Sequence, residues 1–310
     1  MIIGVTGASG FLGSWLCNIL SNEHQIVSYV RPTSNTNRLS PSSAIKIKAT
    51  PPDSPEAFKD EGIEILLMLD WDGVGNQYRN TPHQFQNLSR QEKIITNAAH
   101  FGIKKVIGFG SQAELGQLKV PATENLPDNP TTEYGEAKVL SRVQHIQVCE
   151  NLNLNWTWCR IFSTYGPKDS KDWLISGALA KLERNEEVPL TNCEQVWSYL
   201  HVVDFVRAIQ ALLPHKHNVI AHIGNPDTVR LLEVIELIGE LTGKRNLLNV
   251  GSIPYRPDQV MYMKPICGVL DDLDWTPRVN LKEGIKHMLE TDKTKAPSIL
   301  SLTDGSSLLI

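Results

Sequence analysis

Of the seven tyrosines in the chain, only Tyr134 has a lysine four residues on, Lys138, in the stretch Y-G-E-A-K. On a helix, residues i and i+4 share a face. An ammonium held there would lower a phenol pKa from its ordinary ~10, making the phenol a usable proton donor or acceptor near neutrality. A third polar group, Ser111, ends the apolar run KKVIGFG. Its hydroxyl could steady an oxygen undergoing proton transfer. Gln112 and Ala113 follow it, and neither an amide nor a methyl can act as acid or base. Glu114 comes one place later and is expected to point elsewhere.

The second constellation is VTGASGFLGSWL, directly after the strand-like IIGV. Gly7, Gly10 and Gly13 are spaced for a tight strand-to-helix turn whose backbone can approach a pyrophosphate at a helix N-terminus. Gly7, Ser9, Gly10, Phe11 and Leu12 are therefore expected to line a dinucleotide; the competing reading is a chance glycine turn. At the end of the second strand, SYVRPTSNTNRL holds Arg31 and Arg38 and no acid. A guanidinium suits the 2′-phosphate of NADP, whereas an acid would suit the ribose of NAD. Ser34 and Asn35 could add hydrogen bonds. The cofactor expected is NADP(H) rather than NAD(H), against the alternative that both arginines are only solvated.

These residues need elements to position them. IIGVT, QIVSYV, EILLML, KVIGFG and NWTWCRIF read as strands, and GFLGSWLCNILSN, SRQEKIITNAAHF and EAKVLSRVQHIQVCENL as helices. The alternation predicts an α/β fold, a Rossmann-type doubly wound parallel sheet with a smaller mixed α/β C-terminal substrate domain. The dinucleotide-binding part is expected over 1–165, with 198–222 returning to it. The substrate domain takes 166–197 and 223–295, and a tail runs from 296 to 310. VRLLEVIELIGELTG reads as an amphipathic helix closed by Gly243. NLLNVGSIPYRPDQVMYM reads as irregular and LKEGIKHMLETD as a last helix.

Together, TGASGFLG, Asn87, the strand ending in Ser111, YGEAK and R-I-F-S-T-Y-G-P resemble the extended short-chain dehydrogenase/reductase family. More narrowly, they resemble its NAD-dependent epimerase/dehydratase group acting on nucleotide sugars. QVWSYLHVVDFVRAI, IPYRPDQVM and LDDLDWTPRVNLKEGI extend the likeness to about residue 290. The resemblance implies that Tyr134 is the acid/base and Lys138 its partner, holding the nicotinamide ribose. It implies that Ser111 bonds the reacting oxygen and Phe162 borders the cofactor. Asn87 would support the cofactor site, or simply cap its helix. On the substrate side, Arg256 in RPDQ would hold a nucleotide diphosphate, and Gln112, Ser163 and Trp197 would touch the substrate. Arg256 could instead be a surface residue, and Trp197 packing.

The resemblance has departures. In the group's 4,6-dehydratases an Asp-Glu pair follows the hydroxyl and carries out elimination; here Gln112 and Ala113 stand there, so dehydration is not expected. An arginine usual before YLHV is replaced by Trp197 and Ser198. Ser163 replaces an asparagine. M-L-D-W at 68–71 replaces small residues and brings Asp70 close to a cofactor phosphate. The expected activity is NADPH-dependent reduction of the 4-keto group of a nucleotide-linked (6-deoxy) sugar. The alternatives are a nucleotide-sugar epimerase or 4-dehydrogenase and, in another class, an NADP-sensing binding protein without turnover. Family members often pair the helices bearing Asn87 and Tyr134, so a homodimer is expected.

The net charge of −4 argues against a nucleic-acid or membrane surface built on bulk positive charge. The five cysteines show no CxxC spacing and read as reduced, buried thiols. MIIGVT lacks the pattern of a signal peptide, and no apolar run reaches membrane-spanning length, so the protein reads as cytosolic. The histidines form no metal constellation: His215 and His217 flank a surface turn, and His201 reads as core.

Overall fold

The computed structural model describes residues 1–291, 299–301 and 307–309. Its centre is a seven-stranded, wholly parallel sheet. In chain order the first elements are β1 (Ile2–Thr6), α1 (Phe11–Leu20), β2 (Gln25–Tyr29), β3 (Ile45–Lys48) and β4 (Ile65–Met68). Then come α2 (Gln86–His100), β5 (Lys105–Ser111), α3 (Glu133–Asn151) and β6 (Asn155–Ile161). In space the order is the strand Val219–Ile223, then β6, β5, β4, β1, β2 and β3. The expected α/β, Rossmann-type doubly wound sheet is what the chain forms.

β4 and the apolar body of β5 are buried on both faces, as near-continuous apolar runs in a parallel sheet should be. Leu16, Leu20 and, from the helix α5 (Val202–Leu212), Phe205 and Ile209 pack into one core with Ile3, Val5 and Leu67. Ile94, Ile95 and Ala98 of α2 and Cys149 of α3 pack on the other face with Leu66, Met68 and Val106. A smaller core joins α4 (Leu174–Glu183), α6 (Leu231–Thr242) and the helix Leu281–Thr291. Gly243 ends α6 in the left-handed region (φ 67°), the C-cap its position predicts.

Several elements differ from the expectation. β3 escapes notice because IKIK is a short edge strand whose lysines both pair with Glu61, at 2.7 and 2.6 Å. VWSYLH forms two separate two-residue strands, 196–197 and 200–201, paired with different partners. The stretch expected to be irregular contains the strand pair Leu248–Asn249 with Val188–Pro189. In the tail, Ile299–Ser301 pairs antiparallel with Ser307–Leu309; the rest of it lies outside the described residues. All five cysteines are free and buried. Burial pushes the Cys17, Cys149 and Cys267 thiols up to about 12, and raises Cys159 and Cys193 as well. Among the described residues, no helix is long and apolar enough to cross a membrane.

Candidate active site

The glycine turn, the segment after β4, Ser111 and the segment after β6 all leave the C-terminal ends of parallel strands, where open α/β sheets place ligands. β1 turns at Gly7 with φ 64°, and a Cβ there would lie 2.9 Å from the backbone nitrogen of Asp70. Only glycine allows both the conformation and the approach. α1 starts after Gly10 with no side chain capping it. Its first N–H groups and positive dipole end stay available to an anion, and this cradle fits a dinucleotide pyrophosphate. Ser9, Gly10, Phe11 and Leu12 surround that turn, Phe11 and Leu12 also packing on the core.

Asp70 is accommodated beside this turn by a cation. Its Oδ1 accepts from the Thr6 hydroxyl at 2.6 Å, and Arg90 of α2 reaches Oδ2 at 3.1 Å. The two candidate phosphate arginines have different roles. Arg31 is exposed, and among the described residues its guanidinium makes no ion pair; its backbone N–H donates to Ser34 Oγ at 3.2 Å. Arg38 instead donates to the carbonyls of Ser9 and Lys168, at 3.4 and 3.0 Å. Trp15 of α1 donates to the Pro167 carbonyl at 3.1 Å, so the segment after β6 is strapped onto the glycine turn at two points.

Ser111 ends β5 and caps the short 3-10 turn Gln112–Leu115. Its Oγ accepts from Ala113 N at 3.2 Å, while its own N–H donates to Glu114 Oε1 at 2.8 Å. The reciprocal cap turns Glu114 inward, where the sequence reading expected only that it points elsewhere. The carboxylate is fully buried and accepts from Trp158 Nε1 (3.2 Å), Arg160 Nε (3.2 Å) and Arg142 Nε (3.3 Å). Asp128 shares both arginines, and His222 contacts Arg160 at 3.0 Å. Gln112 Oε1 is buried with no hydrogen-bond partner among the described residues, an acceptor available to a ligand.

Tyr134 lies in the first turn of α3, which Thr132 caps through a 3.1 Å bond from Gly135 N. The phenol lies close enough to the Ser111 side chain for the hydroxyl to act on its pKa. Lys138 lies on the same helical face but is engaged elsewhere. Its Nζ is 5.9 Å from the Tyr134 ring centroid, 3.5 Å over the Trp71 ring, and donates to the Phe109 carbonyl at 2.9 Å. This corrects the expectation that Lys138 pulls the phenol pKa down. Burial raises the Tyr134 pKa, opposed first by the Arg79 guanidinium and then by the Ser111 hydroxyl. Burial also lowers Lys138 to about 7, with the Glu114 and Asp70 charges opposing it. The i, i+4 spacing gives a shared face but not the long-range neighbours that decide the charge.

Trp71 and Arg79 are the site residues the sequence reading missed. Trp71 stands edge-on to Tyr134 (centroids 6.2 Å apart, 88°) and donates to Gln84 Oε1 at 2.8 Å. Gln84 in turn ties the carbonyls of Gly73 and Tyr78. Asn87 is not a helix cap. Its Oδ1 accepts from Asp72 N at 2.8 Å, and its Nδ2 donates to the Asp72 and Gln84 carbonyls. It therefore pins the loop that carries Trp71 and Arg79. The M-L-D-W departure at 68–71 was the only sequence signal, and it did not reveal where the indole goes.

On the substrate side, Trp197 Nε1 donates to Ser163 Oγ at 2.6 Å, so these two candidates are joined. Arg256 is exposed, 3.7 Å from Asp258. Phe162 requires a correction. The residue is 1% exposed and, just past the end of β6, packs with Leu115, Ala122, Met263 and His222 in a small core and not toward a cofactor. His201 is buried, accepts from Val203 N, and stacks near His287. Among the described residues, no three His, Cys, Asp or Glu side chains converge as a metal site.

The model of the NAD dependent epimerase/dehydratase family matches residues 3–224. The chain is similar to an uncharacterized UDP-glucose epimerase of Bacillus subtilis (strain 168), 24% identical over 307 residues, spanning 92% of this chain and 96% of that one. It is also similar to dTDP-6-deoxy-L-talose 4-dehydrogenase (NAD(+)) of Aggregatibacter actinomycetemcomitans, 26% identical over 77% of this chain and 90% of that one. A UDP-glucose 4-epimerase from Thermotoga maritima, solved with UDP-glucose, shares the fold. The TM-score is 0.86 at 22% identity, covering 94% of this chain and 99% of that one.

Proposed function

The chain belongs to the NAD dependent epimerase/dehydratase family, and from that premise we propose that it reduces the 4-keto group of a nucleotide-linked, 6-deoxy sugar with NADPH. The observation that carries this reading is Tyr134 set close to Ser111 at the end of β5, in a site whose neighbouring carboxylate, Glu114, is locked among Arg160, Arg142 and Trp158. No acid stands at 112 or 113 to eliminate water. NADPH, when bound, supplies the hydride. Tyr134 donates a proton to the oxygen at C4, and Ser111 holds that oxygen. Burial keeps the phenol protonated at neutral pH, which suits a donor in the reductive direction. Trp197, Ser163 and the unpartnered Gln112 oxygen line the substrate side, with Arg256 on the diphosphate. Lys138 and the glycine turn serve the cofactor, and exposed Arg31 with Ser34 favours NADP(H) over NAD(H).

An epimerase or 4-dehydrogenase is the second reading, favoured by the names of two similar proteins. Purified protein mixed with NADPH and candidate nucleotide-linked 4-keto sugars separates the readings. Stoichiometric loss of reduced-nicotinamide absorbance supports the reductase. Conversion without net loss supports an epimerase. NADPH binding with no conversion of any sugar points to a sensor without turnover. The proposal includes a homodimer through α2 and α3, where Leu140 and Val143 stand exposed on α3; a monomer mass by light scattering at micromolar concentration contradicts it.

A further inference from the structure

The glycine turn leaves the end of β1, and Ser111 ends β5 with Tyr134 beside it. β4 lies between those two strands in the sheet. A dinucleotide seated on the turn and reaching the phenol with its nicotinamide has to cross the C-terminal end of β4, where Asp70 and Trp71 leave the sheet. The span is narrow. A Cβ on Gly7 would lie 2.9 Å from Asp70 N, and the Trp71 ring centre stands 6.2 Å from that of Tyr134. Asp70 is tied back to Thr6 and Arg90, which leaves Trp71 as the side chain that stands in the way.

The indole is held there from its loop. Its Nε1 donates to Gln84 Oε1 at 2.8 Å, and fully buried Gln84 ties the carbonyls of Gly73 and Tyr78. So held, the ring covers the Lys138 ammonium, with Nζ 3.5 Å from its centre. Lys138 is 5% exposed and also donates to the Phe109 carbonyl at 2.9 Å. Of these two covers, Phe109 belongs to a central strand and only the indole to a loop. A ring in van der Waals contact leaves no room, on the side it covers, for an oxygen at hydrogen-bond distance.

We propose that Trp71 competes with the nicotinamide ribose for the Lys138 ammonium, which weakens the hold on the nicotinamide half of the dinucleotide and keeps the cofactor exchangeable. The inference rests on the NADPH reading above and adds a residue that sets how the cofactor is used. A reductase must release its spent dinucleotide at every turnover, whereas an epimerase regenerates it in place. Ribose hydroxyls that bond Lys138 must first displace the ring, so the stacking lost is subtracted from the affinity gained.

Titration of NADPH into the full chain, followed by nicotinamide fluorescence, tests it. Trp71→Leu is expected to bind NADPH about 3- to 30-fold more tightly than the wild type, the worth of one stacked cation. Adenosine 2′,5′-bisphosphate, which lacks the nicotinamide half, should bind both proteins equally by calorimetry. Equal or weaker NADPH binding by the variant overturns the inference, and so does an equal tightening of both ligands. Stoichiometric nicotinamide carried by the wild type through gel filtration overturns it as well, and favours the epimerase. If the wild type does not bind NADPH, the NADPH reading falls and takes this inference with it. Should the leucine variant fail to fold, Trp71→Phe, a smaller ring with no N–H for Gln84, is expected to tighten NADPH binding in the same direction, and unchanged affinity in it overturns the inference equally.

Discussion

Arg160 and Arg79 are both drawn out of bulk water beside the reactive groups, and their surroundings are opposites. Arg160 is 1% exposed, and each of its three side-chain nitrogens has a partner, in Glu114, Asp128 and His222. Among the described residues, the Arg79 guanidinium is met only by the face of Tyr134. A buried charge is tolerated when every donor has an acceptor, and its partners then become rigid. The satisfied cluster therefore belongs to the scaffold behind Ser111, whereas the other guanidinium sits over the Tyr134 ring. Two side chains of one type thus separate the scaffold of the site from the loop beside its acid/base candidate.

The sharpest way to break this contrast is at Tyr134. Tyr134→Phe is expected to cut turnover about 100- to 10,000-fold, the usual scale for a lost general acid, with the unfolding midpoint unchanged. Intact NADPH oxidation by that variant would remove the cleft side from the chemistry. Glu114→Gln should do the reverse. Breaking a buried ion pair costs about 3–5 kcal/mol of stability, measurable by urea unfolding; an unmoved midpoint would mean that the cluster is not structural.

Acid probes the same scaffold. Burial, with Arg160 adding to it, lowers His222 to about 3; burial lowers His145 to about 3 and His287 to about 4, and His201 lies well below its ordinary value. These imidazoles refuse the proton that an unfolded chain accepts near pH 6.5. The unfolded state then binds more protons, so stability is complete above about pH 6.5 and falls as the pH drops toward 4. The slope is about 1.4 kcal/mol per pH unit for each such histidine, and flat urea midpoints from pH 7 to 5 would refute it. The smallest effect belongs to Trp71→Leu, which removes the indole from the Lys138 ammonium and is expected to cost about 0.5–2 kcal/mol. No loss in the same urea assay would mean that the stacking is incidental.

Legibility followed distance along the chain. The glycine turn, Ser111 and the Tyr134–Lys138 pair were readable because each rests on neighbours within a turn or at a strand end. The inward aim of Glu114 was half readable: its offset from Ser111 said it would point away, but Arg160 and Trp158 come from another strand. Asp70 had no account until Arg90 was placed beside it. Trp71 and Arg79 were invisible because their meaning depends on α3, more than fifty residues away. Lys138 shows the same limit, since a helical spacing cannot announce that an indole and a strand carbonyl will claim the ammonium first. Phe162 was misplaced because the small core that takes it up is built from Leu115, Ala122 and Met263, far along the chain from the end of β6.

The state of the cysteines has a practical consequence. Thiols that are all buried, and whose burial disfavours the thiolate, react slowly with maleimides. The unmodified chain is therefore nearly silent to such dyes. A single exposed replacement such as Asn76→Cys would carry a fluorophore next to the arginine-bearing loop, so that arrival of a nucleotide could be followed by emission in real time without stripping the native thiols first.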